Sequence, residues 1–180
     1  MTIDVRRDVA DRDVGHTALK AAYATLVVGV LYALVSAYWA MGGTALLNTV
    51  GGAFQAQGNT DNPSVVLAVW AAVILKVIAA ALPLVAVRTR TRPRWGPTVR
   101  LMAWIEAGIL TIYGLVLTAV GLLVQAGAIH VSATADHRAL AWHAYLWDPW
   151  FLVWGLLVTY GLRITGTQPR QPEVRPTGRL

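Results

Sequence analysis

The sequence predicts an all-α fold: an integral membrane four-helix antiparallel bundle with its N- and C-termini in the cytoplasm. Three observations carry this expectation. The chain is 56% hydrophobic and only 13% charged, about half the charged fraction of an ordinary soluble domain. Its apolar residues gather in four long blocks instead of short periodic runs, so lipid is the expected solvent. Its basic residues sit at the ends of those blocks and favour one side of the membrane.

The elements follow in order. Residues 1–19 form a polar tail in which Asp4, Asp8, Asp11 and Asp13 alternate with Arg6, Arg7 and Arg12. Its composition suits disorder at the start, or an amphipathic helix lying on the membrane. Arg6-Arg7 resembles a twin-arginine signal, but the apolar stretch behind it is too long for a signal core, so an uncleaved first helix is expected. A four-span domain covers residues 20–164. Its first helix, about 21–40, carries no charge, and at about 1.5 Å per residue it crosses a hydrocarbon core of about 30 Å. Tyr38 and Trp39 close it at headgroup depth.

Residues 41–62 are a Gly-rich loop with one charge, Asp61. The second helix covers about 63–87, with Asn62 suited to its N-cap and Pro63 to its first helical position. It holds Lys76 near its middle and Pro83 near its end. A short basic loop with Arg88, Arg90, Arg92 and Arg94 leads to the third helix, about 99–126, which contains Glu106. A second loop carries His130, Asp136, His137 and Arg138. The fourth helix covers about 143–162, with Asp148 as its N-cap and Pro149 at the first helical position. Residues 165–180 are a Pro- and Arg-bearing tail, expected to be disordered.

Of the 15 Lys and Arg residues, thirteen lie in or beside the two tails or the middle loop, counting Lys20, Arg100 and Arg163 at their edges; Arg138 lies in another loop and Lys76 inside a span. That asymmetry places the tails in the cytoplasm of a cell-membrane protein. The net charge of +6 therefore follows topology and does not imply nucleic acid. The absence of cysteine excludes disulfides, thiolate metal sites and thiol redox chemistry. The expected partners are membrane lipid and either another membrane protein or a second copy of the chain.

Two segments carry a resemblance: Tyr38-Trp39-Ala40-Met41-Gly42-Gly43-Thr44, and the run from Trp142 to Phe151 that includes His143, Tyr145, Trp147, Asp148, Pro149 and Trp150. On these segments, and on the stretch Leu122 to Gly127, the chain resembles the small actinobacterial membrane proteins grouped as domain of unknown function 3995. Ala45-Leu46-Leu47-Asn48 stands here where members often carry a Trp-Gly-Leu-Asp-like segment. The resemblance implies a four-helix membrane fold and no particular activity.

Both segments fall at the outer membrane face and define a candidate outer site: Tyr38, Trp39, Gly42, Gly43, His143, Tyr145, Trp147, Asp148, Pro149 and Trp150. The rings fit an aromatic belt; alternatively they wall an outer pocket with Asp148, His143 and Tyr38 as its polar groups. Asp148 reads as a helix cap first, and as a proton- or cation-handling group second. His130, His137 and His143 match no metal-ligand spacing, and no histidine sits within a span to ligate haem. No catalytic constellation or cofactor motif is present. Lys76 and Glu106 are the two full charges deep in the spans, and an intramembrane ion pair between neighbouring helices is expected. Small-residue stripes, Gly29-Ala33-Ala37 and Ala103-Ala107-Thr111-Gly114-Thr118-Gly121, allow close helix packing.

Three functions remain open at this point. The first is a non-enzymatic structural or accessory membrane component. The second is a small transporter or ion-conducting subunit using Lys76 and Glu106. The third is a binder of, or enzyme on, a lipid or envelope intermediate at the outer aromatic face.

Overall fold

A computed structural model describes residues 2–51, 63–89, 92 and 94–166. Every regular element among them is helical. Helix α1 spans Thr2–Ala40, a 3-10 turn follows at Leu47–Thr49, and α2 spans Pro63–Arg88 and α3 Gly96–Gln125. Helix α4 (His137–Trp142), a π-helical turn (His143–Trp147) and α5 (Asp148–Gly166) follow without a break, so they form the fourth rod.

Local chemistry sets these ends. Pro97 stands in the first turn of α3, where a missing N–H costs nothing. At the other end Gly127 adopts φ 72°. Its N–H bonds the Val124 carbonyl at 3.0 Å and the Ala128 N–H bonds that of Leu123 at 2.9 Å. This is a Schellman closure, which needs the left-handed residue glycine supplies. The first helix continues back to Thr2, so the polar tail opens as helix. Asn62, the expected cap of α2, lies outside the described residues.

The fourth rod departs from expectation. It starts at His137, six residues early, and its N-cap is Asp136, whose carboxylate accepts from the Ala139 N–H at 3.0 Å. Asp148 is therefore not a cap; it sits inside the rod with helical φ and ψ of −78° and −42°. Pro149 would normally disrupt a helix at that point, since it has no N–H and its ring crowds the carbonyl four residues back. The turn before it widens to the π form, and the Asp148 N–H bonds the His143 carbonyl five residues earlier.

Paired contacts fix the topology. Helix α1 is antiparallel to α2, with Tyr23 beside Arg88 and Ser36 beside Lys76. Rod α4–α5 is antiparallel to α3: Gly121 meets Ala144, Gly114 meets Leu152, and Arg100 meets Leu162 and Thr165. It also packs on α1, with Trp147 against Tyr32 and Gly161 against Ala21. The bundle has an aromatic end, where α1 finishes and the fourth rod begins, and a basic end carrying Arg88, Arg92, Arg94 and Arg163.

The core joins all four rods through Ala80, Ala86, Ala103, Ala107, Trp154, Val158 and Leu162, with Leu26 and Val28 of α1 packed against them. The small-residue stripe on α3 serves this packing. A Cβ added at Gly114 would lie 2.3 Å from the backbone nitrogen of Leu152, and one at Gly155 would lie 2.5 Å from that of Thr111. Each glycine admits the neighbouring backbone where no larger residue fits.

The outward surface is apolar: Leu67 and Leu75 on α2 and Ile109 and Ile112 on α3 are all well exposed. Three helical segments, Asp13–Ala40, Val66–Arg88 and Gly96–Gln125, are long and apolar enough to cross a membrane. This is a membrane protein. Helix α5 is not among those three segments; it carries Asp148 and Arg163 along with two glycines and two threonines before its last residue.

Candidate functional site

The aromatic end is organised by Tyr32, a residue that neither outer segment contains. Its ring makes edge contacts with Trp147, Trp150 and Phe151 at centroid distances of 6.1, 5.6 and 4.8 Å. Trp39 meets Trp147 edge-on at 5.4 Å. The two outer segments therefore do come together, because α1 ends at the height where the fourth rod starts. Such edge contacts add about 0.5–1.5 kcal/mol each beyond burial of area. Trp150 reaches the other way and donates its indole N–H to the Val28 carbonyl at 3.1 Å.

Residues 41–51 fold over this cluster. Gly42 turns the chain at φ 88°. Gly43 lies under the Tyr38 ring, where a Cβ would fall 2.3 Å from the ring carbon. The Tyr38 hydroxyl accepts from the Ala45 N–H at 3.2 Å, and the Trp39 indole donates to the Ala45 carbonyl at 2.8 Å. Leu46 is held at φ 61°, a conformation that costs a residue with a Cβ about 1 kcal/mol or more. Thr49 is fully buried and accepts from the Trp147 indole at 3.2 Å.

The polar centre is His143. Its Nδ1 lies 3.1 Å from Asp148 Oδ1 and its Nε2 lies 3.2 Å from the Val50 carbonyl oxygen. Asp148 is buried while the His143 side chain keeps 36% of its surface exposed. The π turn creates this pair. In an α-helix, residues five apart point about 140° away from each other; the wider turn brings them onto one face. Pro149 acts in the site through the turn it imposes. Tyr145 is 65% exposed and points away from the cluster.

Deeper in the bundle, the expected ion pair is not formed. The Lys76 ammonium donates to the Ser36 hydroxyl at 2.7 Å and lies over the Tyr32 ring, 4.7 Å from its centroid. Gly29 packs on Ala80, which puts Lys76 level with about residue 33 of α1. Its side chain thus leans toward the aromatic end, where an acceptor and a π face await it, and away from Glu106. Both carboxylate oxygens of Glu106 are buried without a hydrogen-bond partner among the described residues. The hydroxyls of Thr111 and Thr118 and the indole N–H of Trp154 are buried in the same condition.

Sequence reasoning finds Trp39, Trp147, Asp148 and His143 but misses Tyr32, Ser36, Thr49 and the Val50 carbonyl. Ser36 and Tyr32 stand four apart on α1, the spacing of one helix face, and that is the available signal. No carbonyl leaves a mark in sequence. Among the described residues no three His, Asp or Glu side chains converge as a metal site would require.

No curated protein and no solved structure matches this chain. A family described as protein of unknown function (DUF3995) matches residues 29–158, from the last third of α1 to the middle of α5 and across both outer segments. The chain belongs to that family of proteins of unknown function.

Proposed function

We propose that this chain is a non-enzymatic accessory component of the cytoplasmic membrane, crossing it four times with both termini inside and packing laterally against a membrane-protein partner or a second copy. The observation that carries this reading is that Lys76 and His143, two of the groups capable of chemistry, are engaged by the chain itself. Lys76 is held by Ser36 and Tyr32, and His143 by Asp148 and Val50. Each joins separate segments of the chain, as a structural clamp does. A fourth crossing is supported by the fourth rod, which lies along α3 from Gly121–Ala144 at one end to Arg100–Thr165 at the other. The basic residues at the opposite end from the aromatic cluster support inward termini.

Photo-crosslinking residues placed at Leu75 of α2 and Ile109 of α3, both exposed, test this in native membranes. A discrete adduct from either position is expected. No adduct from either, together with cation flux in proteoliposomes that Glu106→Gln abolishes, would overturn it. That second outcome corresponds to the ion-conducting alternative, which the unpartnered Glu106 oxygens favour.

A further inference from the structure

We infer that His143 and Asp148 form a proton-dependent latch that holds the Val50–Gly51 end of the Gly42–Gly51 segment over the aromatic end, closed when the histidine is doubly protonated and released when it is not. The donors and acceptors around the imidazole ring decide this. The Val50 carbonyl can only accept, so the His143 Nε2 that contacts it must carry a hydrogen. A neutral imidazole has one N–H, and Nε2 has taken it. Nδ1 would then present a lone pair to the Asp148 carboxylate 3.1 Å away, which is repulsive. Both contacts are satisfied at once when the ring bears two N–H groups, one for the carbonyl and one for the carboxylate.

Removing one proton leaves a single donor for two acceptors. The charged carboxylate takes it, because a hydrogen bond to an ionised group is roughly twice as strong as one to a neutral carbonyl. The hydrogen bond to Val50 therefore breaks, and with it the tie that holds the Val50–Gly51 end of the segment. The segment carries the features of something held in place: Leu46 and Gly51 sit at left-handed φ of 61° and 67°. Gly51 is pressed so close to Ala139 that a Cβ there would come within 2.7 Å. The Thr49–Trp147 and Ala45–Trp39 bonds remain as a hinge.

The other titratable and charged groups that face the pair come from each packed element. They are Tyr32 from α1, which lies in the field of Asp148, Lys76 from α2 above the Tyr32 ring, Tyr113 from α3 against Phe151, and Asp136 at the start of α4 beside Gly51. Lys76 and Asp136 are each committed elsewhere, to Ser36 and to the Ala139 N–H.

The chain has no cysteine, so a spin-label pair at Val50→Cys and Arg138→Cys reports the distance from the latched end of the segment to α4 in the full-length protein. The measurement is made at about pH 5 and about pH 9, which bracket the range over which histidine changes charge. One narrow, short distance is expected at the lower pH and a longer, broader population at the higher. Asp148→Asn supplies an amide N–H that a neutral imidazole can accept at Nδ1 while its Nε2–H stays on Val50, so the short distance should persist at both pH values. His143→Gln, which does not change charge over this range, should give the same distribution at both pH values. An unchanged distribution in the parent pair would overturn the latch, and so would a pH response that persists in His143→Gln. If either variant fails to fold, the parent comparison alone still decides.

Discussion

Lys76 of α2 donates to Ser36 of α1 at 2.7 Å across the interior of the bundle. The hydrogen bond places a cation and its acceptor where water is scarce, so the pair should behave as a unit. A hydrogen bond to a charged group contributes about 1.5–3 kcal/mol. Ser36→Ala should lower stability in detergent by about that amount. Adding Lys76→Met should recover much of the loss, because it removes the ammonium left without its acceptor. Thermal unfolding of the two single variants and the double one checks this; strictly additive losses would contradict it.

Glu106 leads to the opposite expectation. Neither of its buried oxygens has a donor among the described residues, and an unsatisfied buried acceptor costs about 1–3 kcal/mol, more when charged. Glu106→Leu should therefore raise the unfolding temperature of the purified protein. A clear drop would mean that the carboxylate has a partner in the native membrane protein, such as a bound ion or another chain.

The glycines of α3 and α5 separate packing from mere helix composition. Gly114→Ala and Gly155→Ala insert a Cβ into backbone at 2.3 and 2.5 Å and should each cost about 1–3 kcal/mol. Gly108 lies on α3 with nothing within 4 Å of an added Cβ. Gly108→Ala should be neutral or stabilising by up to about 1 kcal/mol. Equal losses at all three positions, measured by unfolding in detergent, would contradict the α3–α5 interface.

Asp136 caps the fourth rod. Asp136→Ala should cost about 1 kcal/mol through loss of the cap and should increase hydrogen exchange at the amides of α4. Exchange that rises instead at residues 148–152 would return the cap to Asp148.

The helices are legible because apolar blocks of membrane length are written directly in the sequence, and the meeting of Trp39 with Trp147 follows from their equal height in an up-down bundle. Asp148-Pro149 misleads because those two residues make the same local pattern whether a helix starts there or passes through. The choice is made by Asp136, twelve residues earlier, and by a π turn that no pattern of residue types announces. Height and neighbouring helices pair Lys76 with Glu106 on paper. The direction of a lysine side chain depends on what surrounds it, and Tyr32 and Ser36 on α1 offer better company than Glu106. The polar N-terminal residues open as helix because α1 has an apolar continuation to extend from, which a reading by composition alone undervalues.

The central claim is a four-span bundle with the aromatic end outside, and the number of crossings decides it, since α5 is more polar than the other three. Reporters fused at the N- and C-termini of the intact chain, with Thr134→Cys tested for labelling by a membrane-impermeant reagent in whole cells, measure this directly. Both reporters are expected in the cytoplasm, with Thr134→Cys labelled from outside. Reporters on opposite sides of the membrane, or labelling of Thr134→Cys only after the cells are broken, would contradict it.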